Sequence, residues 1–301
     1  MNERLLHVRK RITLGSLIAI TWLIKLFSYI MPYRIGIQSG SVLGFITYYL
    51  LPKERKKTIA HLSLAYSERS RSWIHRTARQ CFVHLGKSLL EVMLITPRRM
   101  MNIIDVQGEE NLRSALSRGK GVVWVTGHIG NWELMAYRIA QEYPACVSVI
   151  AAPIEPEQVN EMIIARRAAM GVKTIVRTRP GASKELIRAF RENRLLGILI
   201  DQDTDVESAF VDFMGRPAWT PTAAASMALK FGAAVIFGHI KRGPGERHTL
   251  MIEGPLELIN TGATDKDIIA NTPMLTKKIE DCINKDPEQW VWMHRRWRRQ
   301  P

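Results

Sequence analysis

Cysteine is scarce in this 301-residue chain: Cys81, Cys146 and Cys282 stand far apart, with no C-x-x-C and no histidine cluster beside them. That argues against a disulfide framework and a structural zinc site, and for a reducing compartment. The nucleophile-elbow pattern G-x-S-x-G is absent, and so are H-E-x-x-H and any other dense set of metal ligands. No internal repeat or low-complexity segment stands out. Acidic residues are the other shortage. Against 43 Lys and Arg there are 28 Asp and Glu, a formal charge of +15. Such a surplus calls for an acidic partner, since net charge governs association and says little about fold. Nucleic acid is the weakest candidate, because the basic residues are dispersed and neither helix-turn-helix nor zinc-finger spacing occurs. Anionic lipid and an acidic protein remain.

What is present begins with the N-terminus. "ITLGSLIAITWLIKLFSYIM" (12–31) carries a single charge, Lys25, over the length of a bilayer-spanning helix. No small-residue cleavage site follows, which argues against a secretory signal. A second, weaker apolar stretch, "YRIGIQSGSVLGFITYYLL" (33–51), comes after Pro32. "RKR" (9–11) and "KERKK" (53–57) flank the pair, and the positive-inside rule puts both flanks on the cytoplasmic side. The two stretches therefore suit a shallow hairpin or interfacial pair better than a single span.

Residues 58–96 have helical spacing, with Ile74, Ala78, Cys81, Phe82, Leu85 and Leu89 recurring at threes and fours until "TPRRM" interrupts them. Beyond that point the texture alternates. Short β-rich runs at 103–107, 121–126, 146–150, 173–177, 196–200 and 233–240 are mostly separated by helical stretches at 109–117, 131–142, 156–170 and 181–193. This alternation predicts an α/β fold with a mostly parallel sheet flanked by helices. "HTLMIEGPLEL" (248–258) is expected as an antiparallel edge strand, with 265–285 and 287–299 as closing helices. The division expected is a helical membrane-anchoring and docking segment, 1–100, on an α/β domain, 101–301.

Within this frame, "GVVWVTGHIGNWELMA" (121–136) places an imidazole and a carboxylate at a strand-to-helix seam, where open α/β sheets form their sites. His128 and Glu133 are five apart, so they meet only if His128 lies on the loop before the helix. Gly127 and Gly130 permit that loop, and Asn131 is the expected N-cap. A neutral imidazole there can take a proton from an alcohol while a carboxylate fixes its tautomer. On local grounds alone the pair could equally be a hydrogen-bonded structural contact.

Three blocks narrow the choice. "TGHIGNWELMA" (126–136), "GILIDQDTDVESAFVDFMGRPAWTPTAAASMALKFGAAVI" (197–236) and "PEQWVWMHRRWRR" (287–299) together resemble the late acyltransferases of lipid A biosynthesis, more distantly related to glycerolphosphate acyltransferases. The resemblance covers nearly the whole chain. It implies a membrane-bound O-acyltransferase of the bacterial inner membrane, with its catalytic domain on the cytoplasmic side. The acyl donor would be acyl carrier protein or a coenzyme A thioester, used as substrate and without a further cofactor. The acceptor would be an anionic glycolipid. By position, His128 and Glu133 match the catalytic H-x4-D/E pair. Asn131, Asp201, Asp203, Gly215, Arg216 and Trp219 fall in blocks that would form the substrate site, and Arg166 or Arg167 occupies the region where the family carries a functional arginine. Asp212 departs from the family pattern, which often has Pro there, and bears on the acceptor.

Two other readings compete. One keeps the chemistry and changes the acceptor to a lysophospholipid. The other is a non-catalytic basic protein that binds anionic membranes, which accounts for the charge but leaves His128 and Glu133 without a task. By itself "RRWRR" (295–299) would be a solvated tail.

Overall fold

The computed structural model describes residues 31–301, so the apolar run at 12–31, except Met31, lies outside the described residues. Four helices open the described chain: α1 (Tyr33–Leu50), α2 (Pro52–Ala65), α3 (Arg71–Leu94) and α4 (Pro97–Ile103). Proline begins α2 and α4, where its missing N–H costs nothing. The side chains of Ser70 and Thr96 cap α3 and α4 by accepting the backbone N–H groups of Trp73 and Arg99. Glycines bring α1 and α3 into backbone contact. A Cβ on Gly40 would lie 2.6 Å from Gly86 O, and one on Gly86 would lie 2.2 Å from Gly40 O. Among the described residues no helix is long and apolar enough to cross a membrane.

The remainder alternates as expected: β1 (Ile104–Gln107), α5 (Glu109–Ser117), β2 (Val122–Thr126), α6 (Trp132–Glu142), β3 (Val147–Ala151), α7 (Glu157–Ala169), β4 (Lys173–Val176), α8 (Ala182–Arg191) and β5 (Leu195–Leu199). There follow β6 (Ser208–Phe213), β7 (Arg216–Pro221), α9 (Ala223–Phe231), β8 (Ala234–Arg242), β9 (His248–Leu256) and α10 (Thr264–Lys285). Seven strands form one sheet in the order β1-β9-β8-β2-β5-β3-β4, with only β8 and β9 antiparallel neighbours. β2 is central, and every residue of its "VVWVT" is buried, as a strand covered on both faces requires. On one face Val123, Val125, Leu196 and Ile198 share a core with Leu62 and Phe82 of α2 and α3. On the other, Val122, Trp124 and Leu195 pack with Met135 and Ile139 of α6.

Three expectations need correction. β9 is antiparallel to β8, but it is not an edge strand: its other side pairs with β1, which takes the edge. Residues 287–299 form no helix. After a 3-10 turn at Pro287–Gln289 the segment runs irregularly, because it is held by long-range partners rather than by its own ladder. Trp290 and Trp292 enter the core, and buried Arg296 donates to Trp219 O (2.8 Å) and Thr220 Oγ1 (2.6 Å). Arg298 and Arg299 bind Asp203 and Asp205, so the basic end is not a free tail. Outside those expectations, β6 and β7 form a separate hairpin whose turn, Met214–Gly215, has positive φ at both residues (56° and 73°).

Candidate active site

Parallel register builds the centre of the site. Thr126 pairs with Leu199 across β2 and β5, so the residues two places beyond each strand end, His128 and Asp201, also meet. Asp201 is fully buried. Its Oδ1 lies 2.8 Å from His128 Nδ1, and its Oδ2 accepts the His128 backbone N–H and the Trp290 indole N–H, both at 2.7 Å. Burial alone would raise the Asp201 carboxyl. The neighbouring His128 charge and these hydrogen bonds outweigh it and hold the group well below the usual carboxylate range. An ionised carboxylate only accepts, so Nδ1 carries a proton, and in the neutral imidazole the lone pair is the one on Nε2.

The loop that presents His128 is fixed from several sides. Gly130 has φ 60°, and a Cβ there would sit 1.8 Å from Ile240 O, so only glycine fits. Its N–H donates to Gln289 O (2.8 Å), while Ile129 bridges to Trp290. Asn131 precedes α6, but its side chain does not cap the helix. Its amide instead donates to Glu91 Oε2 (2.9 Å), inside a buried cluster where Arg242 and His248 also meet Glu91 and Tyr33 OH donates to it. Asn131 is therefore a loop brace, spent on protein contacts rather than turned to a ligand.

Around the imidazole stand Trp132 (ring centroids 4.9 Å apart) and His294 (5.2 Å). The Gln202 amide nitrogen lies 3.0 Å from Nδ1 and 3.1 Å from Nε2. Burial, reinforced by His128, pushes His294 down to about 4, so it is neutral at physiological pH. These four side chains line the mouth of a cavity of about 550 Å³, within the range of small-molecule sites. From there the walls turn apolar: Met135, Ile139, Val147, Val149, Leu195 and Trp124. Among the described residues no serine or cysteine lines it. Cys282 faces His239 elsewhere at 3.3 Å. Burial holds that thiol up at about 12 and the imidazole down at about 4, so no thiolate forms.

Glu133 also lines the cavity, but it is not the carboxylate on the imidazole. Arg167 takes both of its oxygens, Nε to Oε2 at 2.8 Å and Nη2 to Oε1 at 2.5 Å. The expected orienting role falls instead to Asp201, because the register of β2 and β5 delivers that side chain directly to Nδ1. Arg166 points the other way and donates to Val92 O (2.9 Å) and Ile95 O (2.6 Å) at the end of α3. Asp203 is held by Arg299 (2.7 Å) and Arg298 (3.1 Å). Gly215 makes the β6–β7 turn, and exposed Arg216 donates from Nε to Leu64 O (3.3 Å). Trp219 stacks near Phe210 with centroids 4.8 Å apart. None of these last five residues lines the cavity. Gln202, Trp290 and His294 are members of the site that local sequence reasoning did not select.

Residues 2–299 match the family described as bacterial lipid A biosynthesis acyltransferase. The phosphatidylinositol mannoside acyltransferase of Mycobacterium tuberculosis is 24% identical over 219 residues, 70% of this chain and 66% of that protein. Its counterpart in Mycolicibacterium smegmatis is 25% identical over 202 residues, 66% of this chain and 64% of that protein. The chain thus matches just under two thirds of the length of these two mycobacterial relatives. The lipid A biosynthesis lauroyltransferase of Escherichia coli is 25% identical over 313 residues, spanning 100% of this chain and 95% of that protein.

Proposed function

The chain belongs to the bacterial lipid A biosynthesis acyltransferase family, and from that premise we propose that it is a membrane-bound O-acyltransferase. It moves a fatty acyl chain from a thioester donor, acyl carrier protein or coenzyme A, to a hydroxyl of an anionic glycolipid. The carrying observation is the His128–Asp201 pair at the head of a long apolar cavity. The acceptor hydroxyl attacks the thioester carbonyl and forms the new C–O bond as its proton passes to His128 Nε2. Asp201 steadies the imidazolium. Collapse of the tetrahedral intermediate breaks the C–S bond, and His128 returns the proton to the departing thiolate. The transfer is direct, in keeping with a cavity that among the described residues offers no serine or cysteine nucleophile. Neutral His294 and the Gln202 amide face the same space and supply donors for the developing oxyanion. Arg167, fixed by Glu133, adds a cation to the wall.

Relatives named for lipid A biosynthesis and for phosphatidylinositol mannoside support a glycolipid acceptor, and the longer match to the lipid A lauroyltransferase supports a lipid A precursor as the first acceptor to try. Membrane binding finds support in α1. Its inner face is Gly36, Ile37, Gly40, Gly44 and Tyr48, while its outer face carries one charge, Arg34 near its start, and exposes Ile35, Val42, Phe45, Ile46, Tyr49 and Leu50. Arg55 and Arg79 lie over the rings of Tyr48 and Phe45 at its rim. An apolar face edged by cations suits the inner, cytoplasmic surface of an anionic bilayer, where an acidic carrier also reaches the site.

The test is transfer from labelled acyl carrier protein and acyl coenzyme A to a lipid A precursor, an inositol mannoside and a lysophospholipid. Acylated glycolipid is expected, and His128→Ala should lower the rate by roughly 10²–10⁴ while the protein stays folded. Vesicle binding without transfer to any acceptor would leave a non-catalytic membrane protein. Acylation of the lysophospholipid alone would move the acceptor class.

A further inference from the structure

Gly197 sits in the middle of β5, in one row of the sheet with Trp124 of β2 and Val149 of β3. Nothing in the backbone asks for glycine there, since its φ is not in the left-handed region. Neighbouring atoms ask for it only weakly, through one side chain that would have to give by a few tenths of an ångström. An added Cβ would meet Val149 Cγ1 at 3.2 Å and Ser148 O at 3.6 Å, with nothing else within 4 Å. Gly238 differs: a Cβ there would strike the Trp124 indole at 2.3 Å. A glycine inside a strand weakens it and commonly marks a close approach by a ligand or a second backbone. No second backbone covers Gly197. The cavity does.

The sheet shows where along the cavity this gap falls. Thr126 and Leu199 form the row nearest the reacting end, two residues short of His128 and Asp201. Trp124, Gly197 and Val149 form the next row, and Leu195 with Val147 the one below. All seven residues line the cavity, so it continues past Gly197. From Leu199 to Leu195 the floor runs roughly 13 Å, at about 3.3 Å per residue. Above it α6 contributes Glu133 near the mouth, Ala136 one turn later and Ile139 beyond. Between Glu133 and Ile139 the helix thus offers a methyl at 136 beside Met135, and the middle row of the floor has no side chain at 197.

We propose that Gly197, with Ala136 of α6, sets the acyl-chain length this protein accepts. The gap is the passage by which the tail of a long chain crosses the Trp124–Val149 row and reaches the deep end at Leu195, Val147 and Ile139. A side chain at 197 closes the passage, so only chains that end above it are seated. The inference rests on the acyltransferase reading and adds a specificity determinant to it.

The test gives wild type, Gly197→Val and Ala136→Leu an equimolar mixture of short, medium and long saturated acyl thioesters with a glycolipid acceptor, and measures products by mass spectrometry. Wild type should take the long donor well. In both variants the long-to-short product ratio should fall by roughly 10–200-fold, since even one methylene in an apolar pocket discriminates on that scale. Gly197→Ala has only Val149 to displace, and it should shift the ratio in the same direction by less. Ala136→Leu approaches from the helix and carries the test if strand variants do not fold. Absence of acylated product from wild type with every donor overturns the acyltransferase reading itself. Transfer by wild type with an unchanged ratio in folded variants, or equal losses on short and long donors, overturns the role of Gly197 and leaves that reading standing. A wild type that prefers the shortest donor overturns it too.

Discussion

Replacing Asp201 with Asn separates the two things this carboxylate does. The amide has two orientations. With its oxygen in the Oδ1 place it keeps the His128 Nδ1–H bond, but its NH2 then confronts two donors, the His128 backbone N–H and the Trp290 indole N–H. Each buried group left unsatisfied costs about 1–3 kcal/mol, so this orientation loses roughly 2–6 kcal/mol. With the oxygen in the Oδ2 place both 2.7 Å bonds survive, and the NH2 points at Nδ1. The ring answers by moving its proton to Nε2, a change of tautomer that keeps Nδ1, the His128 backbone N–H and the Trp290 indole paired and requires only that the part-buried Gln202 amide turn away from Nε2. The second orientation wins by several kcal/mol. Its stability cost is confined to trading charge-assisted bonds for neutral ones, about 1–2 kcal/mol, or a few degrees of melting temperature in a chain this long. Catalysis fares worse, because a protonated Nε2 cannot accept the acceptor's proton and no carboxylate steadies an imidazolium. A fall of roughly 10⁴ in rate is expected. Single-turnover transfer of a labelled acyl group, beside a thermal melt, reads both quantities. A folded Asp201→Asn protein turning over within tenfold of wild type would refute the reasoning. So would a melting temperature that collapses with the rate, since Asp201 would then be chiefly a structural tie.

The other predictions concern charge at the wall, acid and the membrane face. Glu133→Gln should leave the Arg167 guanidinium, 13% exposed, without its counter-charge; a loss of up to about 3 kcal/mol is expected, with reduced transfer, and a melt and rate equal to wild type would show the pair idle. Burial lowers His84 to about 3, and His239 and His294 to about 4, from 6.5. The unfolded chain therefore binds more protons than the fold below pH 6.5. Stability should be full above that pH and fall continuously towards about 4, with Asp201 and Glu91 extending the slope at lower pH. A melting temperature flat from pH 6.5 to about 4 would contradict those burials. Phe45→Ser with Leu50→Ser should weaken binding to anionic vesicles by about 1–2 kcal/mol, roughly tenfold, because both side chains are apolar and exposed, Phe45 by 45% and Leu50 by 70%. Unchanged vesicle binding in a sedimentation assay would remove α1 from the interface.

Much of the fold was legible because its signals are local. Strand and helix patterns alternate from residue 103 to 240, and each predicted run falls within a few residues of an observed element. What escaped depends on distant partners. β6 and β7 turn at Met214–Gly215 rather than at the Asn-Gly or Asp-Gly that marks a two-residue hairpin, and Met214 holds its positive φ where Glu280 accepts its backbone N–H at 2.7 Å. The segment after Pro287 carries Trp and Arg at spacings that suit a helix, but Asp203, Asp205, Trp219 and Thr220 bind its arginines in an irregular path. Asn131 shows the same competition. Its type and place fit an N-cap, and a buried carboxylate forty residues earlier outbids the helix for its amide.

The site divides along the same line. His128 is visible in the sequence because a histidine between glycines at a strand-to-helix seam is a local pattern. Its partner is not, because the order of strands is a property of the whole sheet. Glu133 is nearer in sequence, and on a helix five residues along it is a reasonable carboxylate to choose. Asp201 becomes the answer only once β5 is known to lie beside β2. From then on the result is arithmetic: Thr126 opposite Leu199 fixes an offset of 73, and the same offset carries His128 to Asp201. A parallel ladder extended past its last hydrogen bond thus delivers an imidazole and a carboxylate to one point. That is why the "DQD" block and the "GHIGN" block, seventy residues apart and unremarkable singly, have meaning as a pair. It also explains the burial of Asp201, which no loop acid would show without three donors waiting for it.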